Sequence, residues 1–160
     1  MARVFLGLGS NVGDSVHTIH FAFTELALVL SGARLSRLWR SRALYVEGQS
    51  DFVNAAVMGE TELSPRSLLA ILNAIEAAFG RDRSRERPKG PRSLDIDILL
   101  YGSLVLNEPD LIIPHTGLGE RLFALIPLLD LDNGLLDPVS GVAFSSIAEA
   151  LPPQGIYLIE

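Results

Sequence analysis

The run Leu94-Asp95-Ile96-Asp97-Ile98-Leu99-Leu100 carries the sharpest chemical signal in the chain. Its alternation predicts a strand with Leu94, Ile96, Ile98 and Leu100 on one face. Asp95 and Asp97 take the other, their backbones roughly 6.6 Å apart. Two carboxylates inside an apolar run are costly unless something neutralises them. At this spacing they can converge on one or two Mg²⁺ ions, whose usual surroundings are hard oxygen ligands and substrate phosphates. The plain alternative is a solvated sheet face. The segment just before the strand weakens that alternative: Arg81, Arg83, Arg85, Arg87, Lys89 and Arg92 face only Asp82 and Glu86, in a chain whose net charge is -6. A solvated charge run is the ordinary reading of such a stretch. Here five of the six cations are Arg, which suits bidentate phosphate contact, and Pro88, Gly90 and Pro91 restrict the part nearest the aspartates. Carboxylates for metal beside arginines for phosphate are the parts of a phosphoryl-transfer site. His115, in Ile113-Pro114-His115 and close to Arg121, is a further candidate phosphate contact. No P-loop motif is present.

These residues need a scaffold. Arg3 to Leu8 reads as a first strand, and the apolar spacing from Ile19 to Leu30 predicts an amphipathic helix stopped by Gly32. Ala33 to Arg40 reads as a second strand, Ser41 to Asp51 as a long loop, and Phe52 to Thr61 as a third strand. Ser64-Pro65 is a helix start, a capping hydroxyl followed by Pro at the first helical position; Gly80 ends that helix. Leu94 to Tyr101 is the fourth strand, with Gly102-Ser103 turning it into a hairpin partner at Leu104 to Leu106. A short helix is expected at Arg121 to Leu125, disturbed by Pro127, and then a loop-rich tail. The order strand–helix–strand–strand–helix–strand predicts an α+β, ferredoxin-like sandwich: an antiparallel sheet with helices on one face and an added C-terminal hairpin and loops.

Composition narrows the function. The 160 residues fit one domain spanning 1–160, and 48% hydrophobic with 20% charged residues exclude disorder as the main state. The absence of cysteine excludes a disulfide scaffold and thiolate-ligated metals. No apolar run reaches the roughly 18 residues needed to cross a bilayer, and Val4 to Leu8 is too short for a signal peptide, so a cytoplasmic protein is expected. The acidic balance speaks against a general nucleic-acid binder, and the concentrated basic segment suggests a local anionic ligand.

At Gly90-Pro91-Arg92-Ser93-Leu94-Asp95-Ile96-Asp97-Ile98-Leu99 the sequence resembles the 6-hydroxymethyl-7,8-dihydropterin pyrophosphokinases of folate biosynthesis. The resemblance extends through Leu8-Gly9-Ser10-Asn11, Asp51-Phe52-Val53-Asn54-Ala55, Gly80-Arg81, Ile113-Pro114-His115 and Arg121-x-Phe123. It implies pyrophosphate transfer from ATP to the pterin hydroxymethyl group, with release of AMP. It implies that Asp95 and Asp97 hold two Mg²⁺ ions, that Arg92, His115 and Arg121 contact the ATP phosphates, and that Arg81 and Arg83 close over the site. Asn54 and Phe123 match the pterin pocket, Ser41 and Leu44 its wall, and Glu76 and Ile98 positions near the nucleotide. ATP and the pterin are then the partners, with neither nucleic acid nor membrane, and the chain a monomer or weak homodimer. Lys89 stands where many members carry an aromatic, and Asp110, Ile112 and Thr116 replace residues that touch ATP in some members. Two rivals are a ferredoxin-like nucleic-acid module, which needs sheet-face aromatics that a 7% aromatic content hardly supplies, and a metal-dependent phosphohydrolase built from the same parts.

Overall fold

A computed structural model describes residues 1–42, 50–80 and 93–159. Its first strand, β1 (Ala2–Ser10), lies between β4 (Phe52–Thr61) and β5 (Asp95–Tyr101), antiparallel to both. β4 in turn pairs with two short strands, β2 (Ser31–Leu35) and β3 (Trp39–Ser41). The expected single second strand is divided because Ser36 takes over the ladder: its hydroxyl accepts the Ala56 N–H at 2.8 Å. β3 carries one more partner, β8 (Ile156–Leu158), so the expected loop-rich tail adds a strand to the sheet. The order across the sheet is β5-β1-β4-β3-β8, with β2 also on β4.

Helices cover both faces rather than one. α1 (Ser15–Leu26) and α2 (Pro65–Ala78) bury Ile19, Leu26, Leu68 and Leu72 against Val4, Leu6, Val57, Ile96 and Ile98. α3 (Leu122–Leu131) and α4 (Phe144–Ala150) bury Leu125, Leu128 and Phe144 against Phe5, Ala56, Met58 and Leu99 on the opposite face. Alternation along β1 feeds both cores, Val4 and Leu6 to one and Phe5 to the other. α1 starts at an Asp14 cap that accepts the His17 N–H, and it ends at Leu26, short of Leu30. Gly32, at φ 61°, lies inside β2 where its register slips, and does not cap the helix. α2 begins as its sequence dictates, with Ser64 Oγ accepting the Ser67 N–H and Pro65 in the first turn. α3 runs through Pro127; the apolar contacts of Leu125, Leu128 and Leu131 outweigh the one ladder bond that proline removes.

Two departures shape the site. In β5 the register against β1 shifts between Phe5 and Leu6, and Leu99 is the extra residue. The bulge ends the expected alternation, so Leu100 joins Leu99 in the second core instead of following Leu94, Ile96 and Ile98 into the first. The expected hairpin partner of β5 is also absent. The chain turns at Gly102 and forms β6 (Leu106–Glu108), which pairs with β7 (Leu111–Ile113) as a separate two-stranded sheet. Arg66 of α2 ties that hairpin down through Glu108 and Asp110, at 2.8 Å to Asp110 Oδ1. Asp110 is therefore occupied by Arg66.

Candidate active site

The register of the sheet lays down two rows on the face shared with α3. Asp95 lies opposite Gly9, and Gly9 opposite Asn54; Asp97 lies opposite Gly7, and Gly7 opposite Ala56. Each row thus runs from a carboxylate through a bare backbone to β4. A methyl group on Gly9 would meet the Asn54 Oδ1 at 3.7 Å, an ordinary van der Waals contact, so the floor there has room for one more atom but is not empty. A methyl on Gly7 would press on the Leu99 side chain at 3.2 Å. Asn54 is buried, and its Nδ2 donates to Ser41 Oγ at 2.7 Å, which fixes the carboxamide with Oδ1 toward Gly9. One end of the floor is therefore anionic and the other a neutral hydrogen-bonding edge.

The opposite wall comes from the segment after β7. The Ile113–Pro114 peptide is cis, and His115 donates its backbone N–H to the carbonyl of the bulged Leu99 at 3.1 Å. The bulge thereby brings the His115 ring over β5, with Nε2 3.7 Å from Asp97 Oδ2. His115 Nδ1 accepts the Gly117 N–H at 3.2 Å, so the ring proton resides on Nε2. Burial, helped by the Arg121 cation and opposed by Asp95, pushes the His115 pKa below its usual value; the ring is neutral at neutral pH. Beyond it a 3₁₀ turn (Leu118–Glu120) leads into α3. Arg121 takes an extended backbone there, with its guanidinium 5.7 Å from the Phe123 ring centroid and against Gly117.

Between floor and wall is a cleft of about 480 Å³, a volume suited to a small organic ligand. It gathers Asp95, Asp97, His115, Arg121, Asn54, Ser41 and Phe123, all singled out in the sequence. The side chains of Glu76 and Ile98 are not in it. Ile98 points into the first core by strand alternation, and the buried Glu76 accepts the Ile96 N–H at 2.8 Å, supporting β5 from behind. Leu44, Arg81, Arg83 and Arg92 lie outside the described residues, as does Lys89. Sequence reasoning missed Gly7, Gly9, Gly117 and Gln154. The spacing Gly7-x-Gly9 was the available signal, since two glycines on one strand face leave that face bare. Among the described residues no cluster of three or more His, Asp or Glu stands ready for a metal. The donor set of Asp95 and Asp97 fits a hard divalent cation whose remaining ligands come from phosphate oxygens and water.

Comparison with known proteins shows the family and the fold. The family model of 7,8-dihydro-6-hydroxymethylpterin-pyrophosphokinase matches residues 5–133. The 2-amino-4-hydroxy-6-hydroxymethyldihydropteridine pyrophosphokinase of Methylorubrum extorquens is 38% identical over 163 residues, covering all of both chains. That of Aquifex aeolicus is 39% identical, covering 87% of this chain and 86% of its own. The folic acid synthesis protein fol1 of Pneumocystis carinii is 37% identical over 96% of this chain, which spans only 20% of that longer protein. In fold, the chain is similar to Plasmodium falciparum HPPK-DHPS, with a TM-score of 0.73 at 15% identity over 92% of this chain and 44% of that one. Among the described residues no helix is long and apolar enough to cross a membrane.

Proposed function

The chain belongs to the 7,8-dihydro-6-hydroxymethylpterin-pyrophosphokinase family, and from that premise we propose that the cleft on the α3 face is where it transfers pyrophosphate from ATP to 6-hydroxymethyl-7,8-dihydropterin in folate synthesis, releasing AMP. The observation that carries this reading is the row Asp95–Gly9–Asn54, in which a carboxylate and a neutral amide face each other across bare backbone. The pterin lies at the Asn54 end, its ring on Phe123 and its polar edge on Asn54 and Ser41. Unmatched polar edges are costly in such a pocket, so the pairing also selects the substrate. The triphosphate lies at the other end, along Asp95, Asp97, His115 and Arg121. Arg81, Arg83 and Arg92 belong with that end on the resemblance of their segment, and so does Leu44 with the pterin wall.

Magnesium is the cofactor of this enzyme class. Asp95 and Asp97 would hold it, as two ions, and it would supply charge neutralisation at the phosphates. The remaining chemistry belongs to the chain. The hydroxymethyl oxygen attacks the β-phosphorus as the bond from that phosphorus to the AMP oxygen breaks, and the hydroxyl proton is lost. The charge spread over the transferring group favours positioned cations and donors over a strong base. Arg121 supplies a cation there. His115, with Nδ1 taken up by the Gly117 N–H, offers its Nε2–H as a donor there. We take the whole chain, 1–160, as one pyrophosphokinase domain acting in the cytoplasm as a monomer or weak homodimer. Its acidic balance supports small-molecule partners over nucleic acid or membrane.

Incubation with ATP, Mg²⁺ and the pterin is expected to give AMP and the pterin pyrophosphate in equal amounts. AMP or phosphate formed equally well without the pterin would make the protein a hydrolase and overturn the reading.

A further inference from the structure

The family match stops at residue 133, yet the tail beyond it reaches the cleft. Gln154 stands between α4 and β8, and both ends of its carboxamide are used. Oε1 accepts the Leu122 N–H at 2.9 Å, and Nε2 donates to the Glu120 carbonyl at 3.0 Å. These two groups flank Arg121 on either side. Leu122 opens α3, where backbone N–H groups have no partner within the helix, and Arg121 at the cap position makes no side-chain bond to supply one. Gln154 closes that gap from a distant part of the chain and holds the 3₁₀ turn to the helix start. The peptide units it grips are those that aim Arg121, whose side chain leans on Phe123.

The same tail also grips the other wall. Directly after Gln154, Gly155 takes φ 68° against the Arg42 stem, and Ile156 pairs with Ser41, the residue that holds the Asn54 carboxamide. The segment from Gln154 to Ile156 thus spans the cleft, with one hand on Arg121–Phe123 and the other on Ser41–Asn54.

We propose that Gln154 is a positioning residue of the pterin and phosphate subsites: its paired hydrogen bonds across Arg121 set the distance between the Phe123 wall and the Asn54 wall. This rests on the assignment of Phe123 and Asn54 to the pterin. The role is directional and small in area, so loss of Gln154 should loosen alignment more than it unfolds the chain.

The test compares Gln154→Met, which keeps the bulk and removes both hydrogen bonds, with Gln154→Ala and with Phe123→Ala. Each is measured by kcat, by KM for ATP and for 6-hydroxymethyl-7,8-dihydropterin, by hydrogen exchange at the Leu122 amide and by thermal unfolding. Gln154→Met and Gln154→Ala are both expected to lower kcat/KM for the pterin about tenfold or more, the scale of a misaligned site. Leu122 exchange should quicken, and unfolding should remain cooperative. Methionine restoring wild-type kinetics would show that bulk alone matters and would overturn the proposal, as would unchanged Leu122 exchange. Loss in Phe123→Ala with none in Gln154→Met overturns the role of Gln154 alone. No loss in Phe123→Ala overturns the pterin assignment, and the proposal with it.

Discussion

At the scale of single residues, the site is made as much by missing side chains as by present ones. Asp95 and Asp97 reach their positions by strand alternation, and Gly7 and Gly9 leave the neighbouring strand bare beside them. Asp95→Ala or Asp97→Ala is expected to reduce turnover on the order of 10²–10³-fold, the scale of losing one charge-stabilising group. Cooperative unfolding should survive, because like-charge repulsion on that strand face is relieved. Steady-state rates at saturating Mg²⁺ alongside thermal melts check both halves; rates within a few-fold of wild type would sink the metal assignment. Gly117 sits at φ −92°, where alanine is free of backbone strain. An added Cβ would, however, fall 2.5 Å from the Arg121 Cζ, at the flexible end of that side chain. Gly117→Ala should therefore displace the guanidinium at little cost in folding. An ATP KM raised about tenfold with an unchanged melting temperature is the expected outcome.

At the scale of elements, β5 is an edge strand whose outward Ile96 N–H is received by Glu76 of α2. Removing that acceptor leaves a buried donor without a partner. Glu76→Ala should cost about 1–3 kcal/mol in urea unfolding, with Glu76→Gln costing less because it keeps an oxygen in place. If Glu76 instead contacted nucleotide, alanine would raise the ATP KM and leave stability alone. β4 and α2 were legible to within a residue or two because each is long, periodic and bounded by turn or capping residues. The division of β2 from β3 was not, since a serine hydroxyl standing in for a ladder bond has no periodic signature. Nor was the bulge at Leu99: a run of apolar residues reads the same whether its register slips or not. α3 was read as disturbed because Pro127 argues locally against a helix, and tertiary burial overrode it. The carboxylates, His115, Arg121, Asn54, Ser41 and Phe123 were identified from their types and motif resemblance. Gly7-x-Gly9 hinted at a bare strand face, but only the register places it beside the carboxylates, and Gln154 appears only once the tail is placed.

At the scale of the molecule, one sheet separates two cores, and only the second carries the wall of the cleft. Leu72→Ala and Leu128→Ala both empty fully buried sites and should each cost about 2–5 kcal/mol. Their kinetic effects should differ. Leu128→Ala loosens the helix that bears Phe123 and should raise the pterin KM. Leu72→Ala, across the sheet, should leave both KM values near wild type while folded. Denaturant curves and KM measurements on the same preparations decide this. The sheet also holds the chain's single tryptophan, Trp39, beside Asn54 in register. Its indole N–H donates to Asp130 at 2.8 Å, and the Arg37 guanidinium stands 5.1 Å from the ring. An indole so fixed, one strand from Asn54 and on the far side of it from the carboxylates, is an unlabelled fluorophore for the end of the cleft proposed to take the pterin. Its emission should respond to pterin and stay level when nucleotide alone is added, so the order in which the two substrates enter can be followed optically in the native enzyme.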